Sequence, residues 1–145
     1  MLLKKFAILI LGVLLFGCCG VFNQNDKIQM SLSTMTDNGQ MTTIPLDVMN
    51  TGEQNTNVFL SSASIVLANG TQLNRVMPIN SNCYRGLVGE QLAPGAQKTM
   101  NLCYEVSSNS LAGGKLHITI RYDFWYDGIE KKGGRTTQTT YDLSN

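Results

Sequence analysis

Cys83, Cys103 and His117 carry the most reactive side chains in the body of this chain, and their spacing limits what they can do. Cysteine acts as a nucleophile when the fold holds a base against its sulfur. His117 is the sole histidine, so it is the base such a reaction would use. In an oxidising compartment two body cysteines pair instead, and a bonded sulfur attacks nothing. Their separation of 20 positions fits no Cys-x-x-Cys or zinc spacing. The expectation is therefore a Cys83–Cys103 disulfide, with a Cys103–His117 hydrolase as the alternative that this bond would exclude.

Three further groups of residues could do chemistry. Seven methionines raise copper binding, since thioethers suit Cu(I), and with it a small ligand- or metal-carrying protein. Met30 and Met100 sit on core phases, while Met35, Met41 and Met49 share no compact spacing, so core filling is the simpler role. Asp123, Asp127 and Glu130 could approach a calcium ion at a loop end, but no spaced set of oxygen ligands accompanies them. Arg121, Asp123 and Trp125 fall on the outward phase of one strand and form the candidate partner-binding surface, because an exposed Trp beside charges can anchor a protein or a glycan. No phosphate-binding glycine loop, paired catalytic carboxylates or basic patch is present. No cofactor, metal or nucleic acid is expected, and the chain reads as a non-enzyme.

The stretch that directs all of this lies at the N-terminus. Met1–Lys5 carries two lysines, and residues 6–16 are uncharged with one glycine. A basic start followed by such a run is the pattern of a secretory signal peptide. The next residues, Leu15-Phe16-Gly17-Cys18, resemble the lipobox of prokaryotic lipoproteins, with Phe16 bulkier than the residue usual at its position. The resemblance implies cleavage before Cys18, diacylglycerol on its sulfur, and attachment to the extracytoplasmic face of a cell membrane. The competing reading is an uncleaved anchor, but residues 6–22 are at the short limit for a spanning helix and contain two cysteines and three glycines. Under either reading Lys4 and Lys5 stay inside. Cys19 is either free or simply next to the lipid.

Removal of residues 1–17 leaves 128 residues, the size of one domain. Loss of Lys4 and Lys5 leaves nine basic and ten acidic side chains, a formal charge of −1 that points to neither nucleic acid nor a polybasic membrane patch. Residues 18–27 read as a lipidated tether and 28–145 as the folded unit.

Period-two patterning governs that unit. Ile28, Met30 and Leu32 alternate, as do Ile44, Leu46 and Val48, with Pro45 on the opposite phase. Proline donates nothing to a ladder, which predicts that this strand lies at a sheet edge or begins there. Val58 and Leu60 fit one face while Ala63, Ile65 and Leu67 fit the other, so a bulge near Ser61-Ser62 is expected. Asp37-Asn38-Gly39, Asn69-Gly70 and Pro94-Gly95 are turns, the last of type II. Asn69-Gly70-Thr71 is also a glycosylation sequon, though the turn accounts for it without a sugar. Residues 78–91 read as a long loop. Met100, Leu102, Tyr104 and Val106 oppose Asn101, Cys103 and Glu105, so the disulfide is expected to pin that loop to the outside of its sheet. Leu116 to Tyr126 alternates without a break. Asp127-Gly128 turns the chain, Gly133-Gly134 loosens it, and residues 135–143 form a last strand.

Val48-Met49-Asn50-Thr51-Gly52, Asn69-Gly70 and Leu92-Ala93-Pro94-Gly95 leading into Met100–Tyr104 resemble the immunoglobulin-like modules of prokaryotic surface lipoproteins. The likeness spans about residues 44–126 and rests on turn residues. Together these features predict an all-β, Ig-like antiparallel sandwich of about seven strands. Its implied role is that of a membrane-anchored binding or accessory module of the cell envelope, with another envelope protein or a glycan as partner.

Overall fold

A computed structural model describes residues 27–86 and 88–144. The expected leader, the tether up to Asp26 and the lipid site Cys18 lie outside the described residues. Among those described there are nine strands: β1 (Ile28–Leu32), β2 (Thr36–Asp37), β3 (Thr42–Asn50), β4 (Thr56–Val66), β5 (Gln72–Asn74), β6 (Glu90–Leu92), β7 (Gln97–Tyr104), β8 (Gly114–Asp127) and β9 (Glu130–Leu143). A single 3-10 turn, Ser108–Leu111, joins β7 to β8. All pairings are antiparallel and build two sheets, so the chain is an antiparallel β-sandwich. In the four-stranded sheet, β3 pairs with β7 on one edge and with β1 and then β2 along the other. In the five-stranded sheet, β4 takes β5 and β6 on one side and β8 on the other, and β9 closes beyond β8.

The core follows from the alternation. Ile44, Leu46, Val48, Met100, Leu102 and Tyr104 of the first sheet face Val58, Leu60, Ile65, Leu116, Ile118, Ile120 and Tyr122 of the second, all essentially fully buried. Burial of each large apolar side chain stabilises the fold by about 1.5–3 kcal/mol. The Tyr104 hydroxyl crosses between the sheets and donates to the Ala63 carbonyl at 3.0 Å. Desolvation raises the pKa of that phenol well above its ordinary value.

The bulge appears where the phase change in β4 requires it. The register against β8 shifts between Leu60 and Ser62, and the exposed Ser61 and Ser62 separate buried Leu60 from buried Ala63. Pro94-Gly95 forms the expected type II turn, with the Ala96 N–H donating to Ala93 O and Gly95 at φ +76°. Asn69-Gly70 joins β4 to β5, with Gly70 at φ +87°.

Three local expectations are corrected. Pro45 marks neither an edge strand nor a strand start, because β3 begins at Thr42 and is the centre of its sheet. Its missing donor faces the gap between Leu32, where β1 ends, and Thr36, where β2 begins. Only its carbonyl is used there, by the Ser33 N–H at 2.9 Å. Gly133 and Gly134 do not loosen the chain either. β9 runs through both, at φ +62° and +94°, paired with β8 on either side. A Cβ at Gly133 would fall 2.1 Å from Trp125 Cζ3, and one at Gly134 would fall 2.8 Å from Tyr122 O. Glycine is needed for close approach as well as for conformation. Finally, the alternation of β8 is interrupted at Asp123, a non-glycine residue at φ +56°. Phe124 beyond it is buried outside the main core, touching Gly89 and Tyr126 and lying under the Arg121 guanidinium.

Candidate functional site

The turn residues of the two halves meet at Asn50, which is wholly buried. Its amide donates to Gln54 O at 2.8 Å and Leu92 O at 3.0 Å, and its side-chain oxygen accepts from the Gly52 N–H at 2.9 Å. Its backbone N–H donates to Ala96 O and its carbonyl accepts from Gly95 N–H. Asn50-Thr51-Gly52 and Leu92-Ala93-Pro94-Gly95 are thus one hydrogen-bonded joint between the sheets, and every polar atom of Asn50 is used in it. The joint also receives the start of the folded chain. Lys27 accepts from the Thr51 N–H through its carbonyl, and its stem lies against Gly52.

From there the Lys27 ammonium reaches Asp123 at 2.6 Å. Thr56 donates its hydroxyl to the same carboxylate at 2.7 Å and accepts from the Asp123 N–H at 3.1 Å. Desolvation acts to raise the Asp123 pKa. The hydrogen bonds from Lys27 and Thr56, with the charges of Lys27 and Arg135, outweigh it and hold the carboxyl below its ordinary value.

The predicted row therefore separates into three different contacts. Arg121 donates twice to Gly133 O and stacks over Phe124, Asp123 is taken by Lys27 and Thr56, and Trp125 lies across Gly133 with 57% of its surface exposed. Beside Trp125 the hairpin bends over the outer side of β4. Tyr126 stacks edge-on against Phe124 at 5.7 Å and accepts from the Gly89 N–H, and the Lys131 ammonium lies 3.9 Å from the Phe59 ring. Phe59, Phe124, Tyr126 and Lys131 were not singled out from the sequence. The aromatic density of residues 122–126 was a signal for Phe124 and Tyr126, while nothing local marked Phe59 or Lys131.

Cys83 and Cys103 are bonded. Both are buried, yet neither belongs to the core between the sheets. Cys103 Sγ lies on the outer side of its sheet, 3.6 Å from Thr43 Oγ1. The loop that Cys83 brings over it also hydrogen-bonds along the free edge of β7, with Val76 donating to Cys103 O and Tyr84 to Asn101 O. The bridge thus pins loop to outer face, as the strand phase predicted, and serves to protect an edge. Tyr84 of this loop lies against the Arg75 guanidinium, and burial pushes its phenol up to about 12.

His117 does not approach Cys103. It is exposed on β8 in the other sheet, its Nδ1 3.0 Å from the Thr140 hydroxyl, and Cys103 has no free sulfur. The Cys103–His117 hydrolase is thereby overturned. Of the calcium candidates, Asp123 is held by Lys27 and Glu130 by Lys132. Among the described residues no group of three or more His, Cys, Asp or Glu side chains is placed to hold a metal. Met100 is core and Met35 packs against it. Met30 and Met49 line a shallow depression of about 170 Å³ with Gln29, Ser31, Asp47 and Gln97. Asp47 there accepts the hydroxyls of Ser33 and Thr99, at 2.7 and 2.6 Å.

No protein-family model matches the chain, and no curated protein matches it. Among solved structures, the X-ray structure of Northeast Structural Genomics Consortium target SoR45 is similar over 81% of this chain and 83% of that one. The identity is 12% and the TM-score 0.38.

Proposed function

We propose that this chain is a lipoprotein anchored through Cys18 on the extracytoplasmic side of a membrane, and that its sandwich is a non-enzymatic binding or accessory module of the cell envelope. The observation that carries the reading is the Cys83–Cys103 bridge. Such bonds belong to oxidising compartments, and this one sits in a chain whose leader ends in Leu15-Phe16-Gly17-Cys18. The described side chains support a binding role over a catalytic one, since the reactive sulfurs are consumed by the bridge and the acidic candidates are held by lysines. The contact surface of the module is centred on Trp125, at the end of the domain where Lys27 receives the chain from its tether.

The test is the intact mass of the protein extracted from its own membranes. A chain beginning at Cys18, carrying diacylglycerol mass and lacking the two hydrogens of one disulfide, is the expected result. A chain still beginning at Met1, or a shortened one without lipid, would overturn the anchor.

A further inference from the structure

The tip of the β8–β9 hairpin gathers apolar side chains in water. Ile129 is 97% exposed, Trp125 57% and Tyr126 40%. Val88, also exposed, lies next to the glycine that Tyr126 holds. Asp127 and Glu130 flank Ile129, and of the lysines that follow, Lys132 pairs with Glu130 and Lys131 lies over the Phe59 ring. Met77 and Ile79, the other exposed large apolar residues described, belong instead to the loop beside β7. The tip has no third strand beside it, although Tyr126 and Lys131 fold back onto Gly89 and Phe59. β4 begins at Thr56, and Asn57 makes its last contact with β8 at Phe124 O, so residues 125–132 pair only with each other. At the far end of the sandwich the exposed turns are polar, Asn69-Gly70-Thr71 and Asn109-Ser110.

The chain from the membrane arrives at this same end. Lys27 is bound to Asp123, and two strand residues, about 7 Å, separate Asp123 from Trp125. Nine residue steps connect Cys18 to Lys27, a reach of at most about 30 Å when fully extended. An anchor at Cys18 therefore keeps the hairpin close to the lipid surface throughout. Trp and Tyr settle at the headgroup level of bilayers, and an isoleucine at the tip adds apolar area below it.

We propose that the hairpin tip is a second membrane contact, with Trp125, Tyr126 and Ile129 seated in the headgroup region of the phospholipid bilayer that carries the Cys18 anchor. The inference rests on the anchored reading and names the partner of its contact surface. It gives the domain a fixed orientation on the membrane, with the β8–β9 tip down and the Asn69-Gly70 turn outward.

Trp125 is the one tryptophan in all 145 residues, so its emission reports this contact directly. The full chain, extracted from its membranes, is reconstituted in phosphatidylcholine–phosphatidylglycerol vesicles, with and without lipids brominated near the headgroup end of the acyl chain. The intact mass is taken on the same preparation. The expected result is quenching of about twofold by brominated lipid, with protection from aqueous iodide, as for an interfacial aromatic. Ile129→Asp should remove most of that quenching while leaving the chain on the vesicles. A lipidated chain whose Trp125 is open to iodide and indifferent to bromine overturns the contact and leaves the anchor standing. A Trp125 shielded from both quenchers also overturns it, in favour of a protein partner or a second copy. An unlipidated chain that is still quenched by bromine overturns the anchor alone, and one that is not quenched overturns both.

Discussion

Asn50 offers the sharpest test of how this sandwich is held together. Asn50→Ala removes an amide that satisfies three backbone groups of two different turns. Leu92 O is fully buried, and its lost partner leaves an unsatisfied carbonyl costing about 1–3 kcal/mol. Gln54 O and Gly52 N–H are partly buried and can recover some hydration, so each loss costs about 0.5–1.5 kcal/mol. The total is about 4 kcal/mol, a large share of the roughly 5–15 kcal/mol that ordinarily stabilises a domain. Urea unfolding in non-reducing buffer measures it. With an m-value of about 2 kcal/mol/M, the midpoint should fall by about 2 M with m unchanged. Asn38→Ala is the matched control, because Asn38 also accepts two backbone N–H groups but in a fully exposed turn. Its cost should stay under about 1 kcal/mol. If Asn50→Ala moved the midpoint no more than Asn38→Ala, the joint would not be what couples the two sheets.

Replacing both Cys83 and Cys103 by alanine frees a 20-residue separation, and loop entropy puts the loss at about 3 kcal/mol; wild-type unfolding with and without reductant should reproduce it, and equal midpoints would refute it. Asp123 has a folded pKa lowered below its unfolded value near 3.8, so its contribution is fully present above that pH and is lost as pH falls through the folded pKa. Asp123→Asn, which tolerates the same left-handed backbone, should remove that part of the acid destabilisation, and an unchanged stability profile below pH 4 would refute the Lys27–Asp123 assignment. Gly133→Ala places a methyl inside the Trp125 ring at a left-handed φ. The backbone alone should cost about 1–2 kcal/mol. The displaced indole should shift the emission of the sole tryptophan, and an unaltered spectrum would show that the ring does not rest there.

Much of the fold was legible because two-sheet sandwiches impose period two on sequence. The phase slip after Leu60 announced the bulge at Ser61-Ser62, and the phase of Cys103 placed the disulfide outside the sheet. Pro45 misled, because an edge was inferred from one missing donor. Whether that donor is missed depends on where β1 and β2 happen to stop on the neighbouring side. The candidate row on β8 was read as a flat alternating face, and Asp123 at positive φ broke it. Nothing local to Asp123 foretells this, since its partners Thr56 and Lys27 are 67 and 96 positions away.

By itself the sequence determined what local physics controls: the inward residues of each strand, the turns at Asn38-Gly39, Asn69-Gly70 and Pro94-Gly95, and the phase of Cys103. These depend on side-chain alternation and on φ preferences that a residue carries wherever it sits. Tertiary structure alone decided which strands became neighbours, that Asn50 would clasp two distant turns, and that Trp125, Tyr126 and Ile129 would share a tip beside Lys27. Those outcomes depend on pairing between segments far apart in the chain, where many registers satisfy the same alternation. The one that leaves the core closed and the buried amide of Asn50 fully bonded wins.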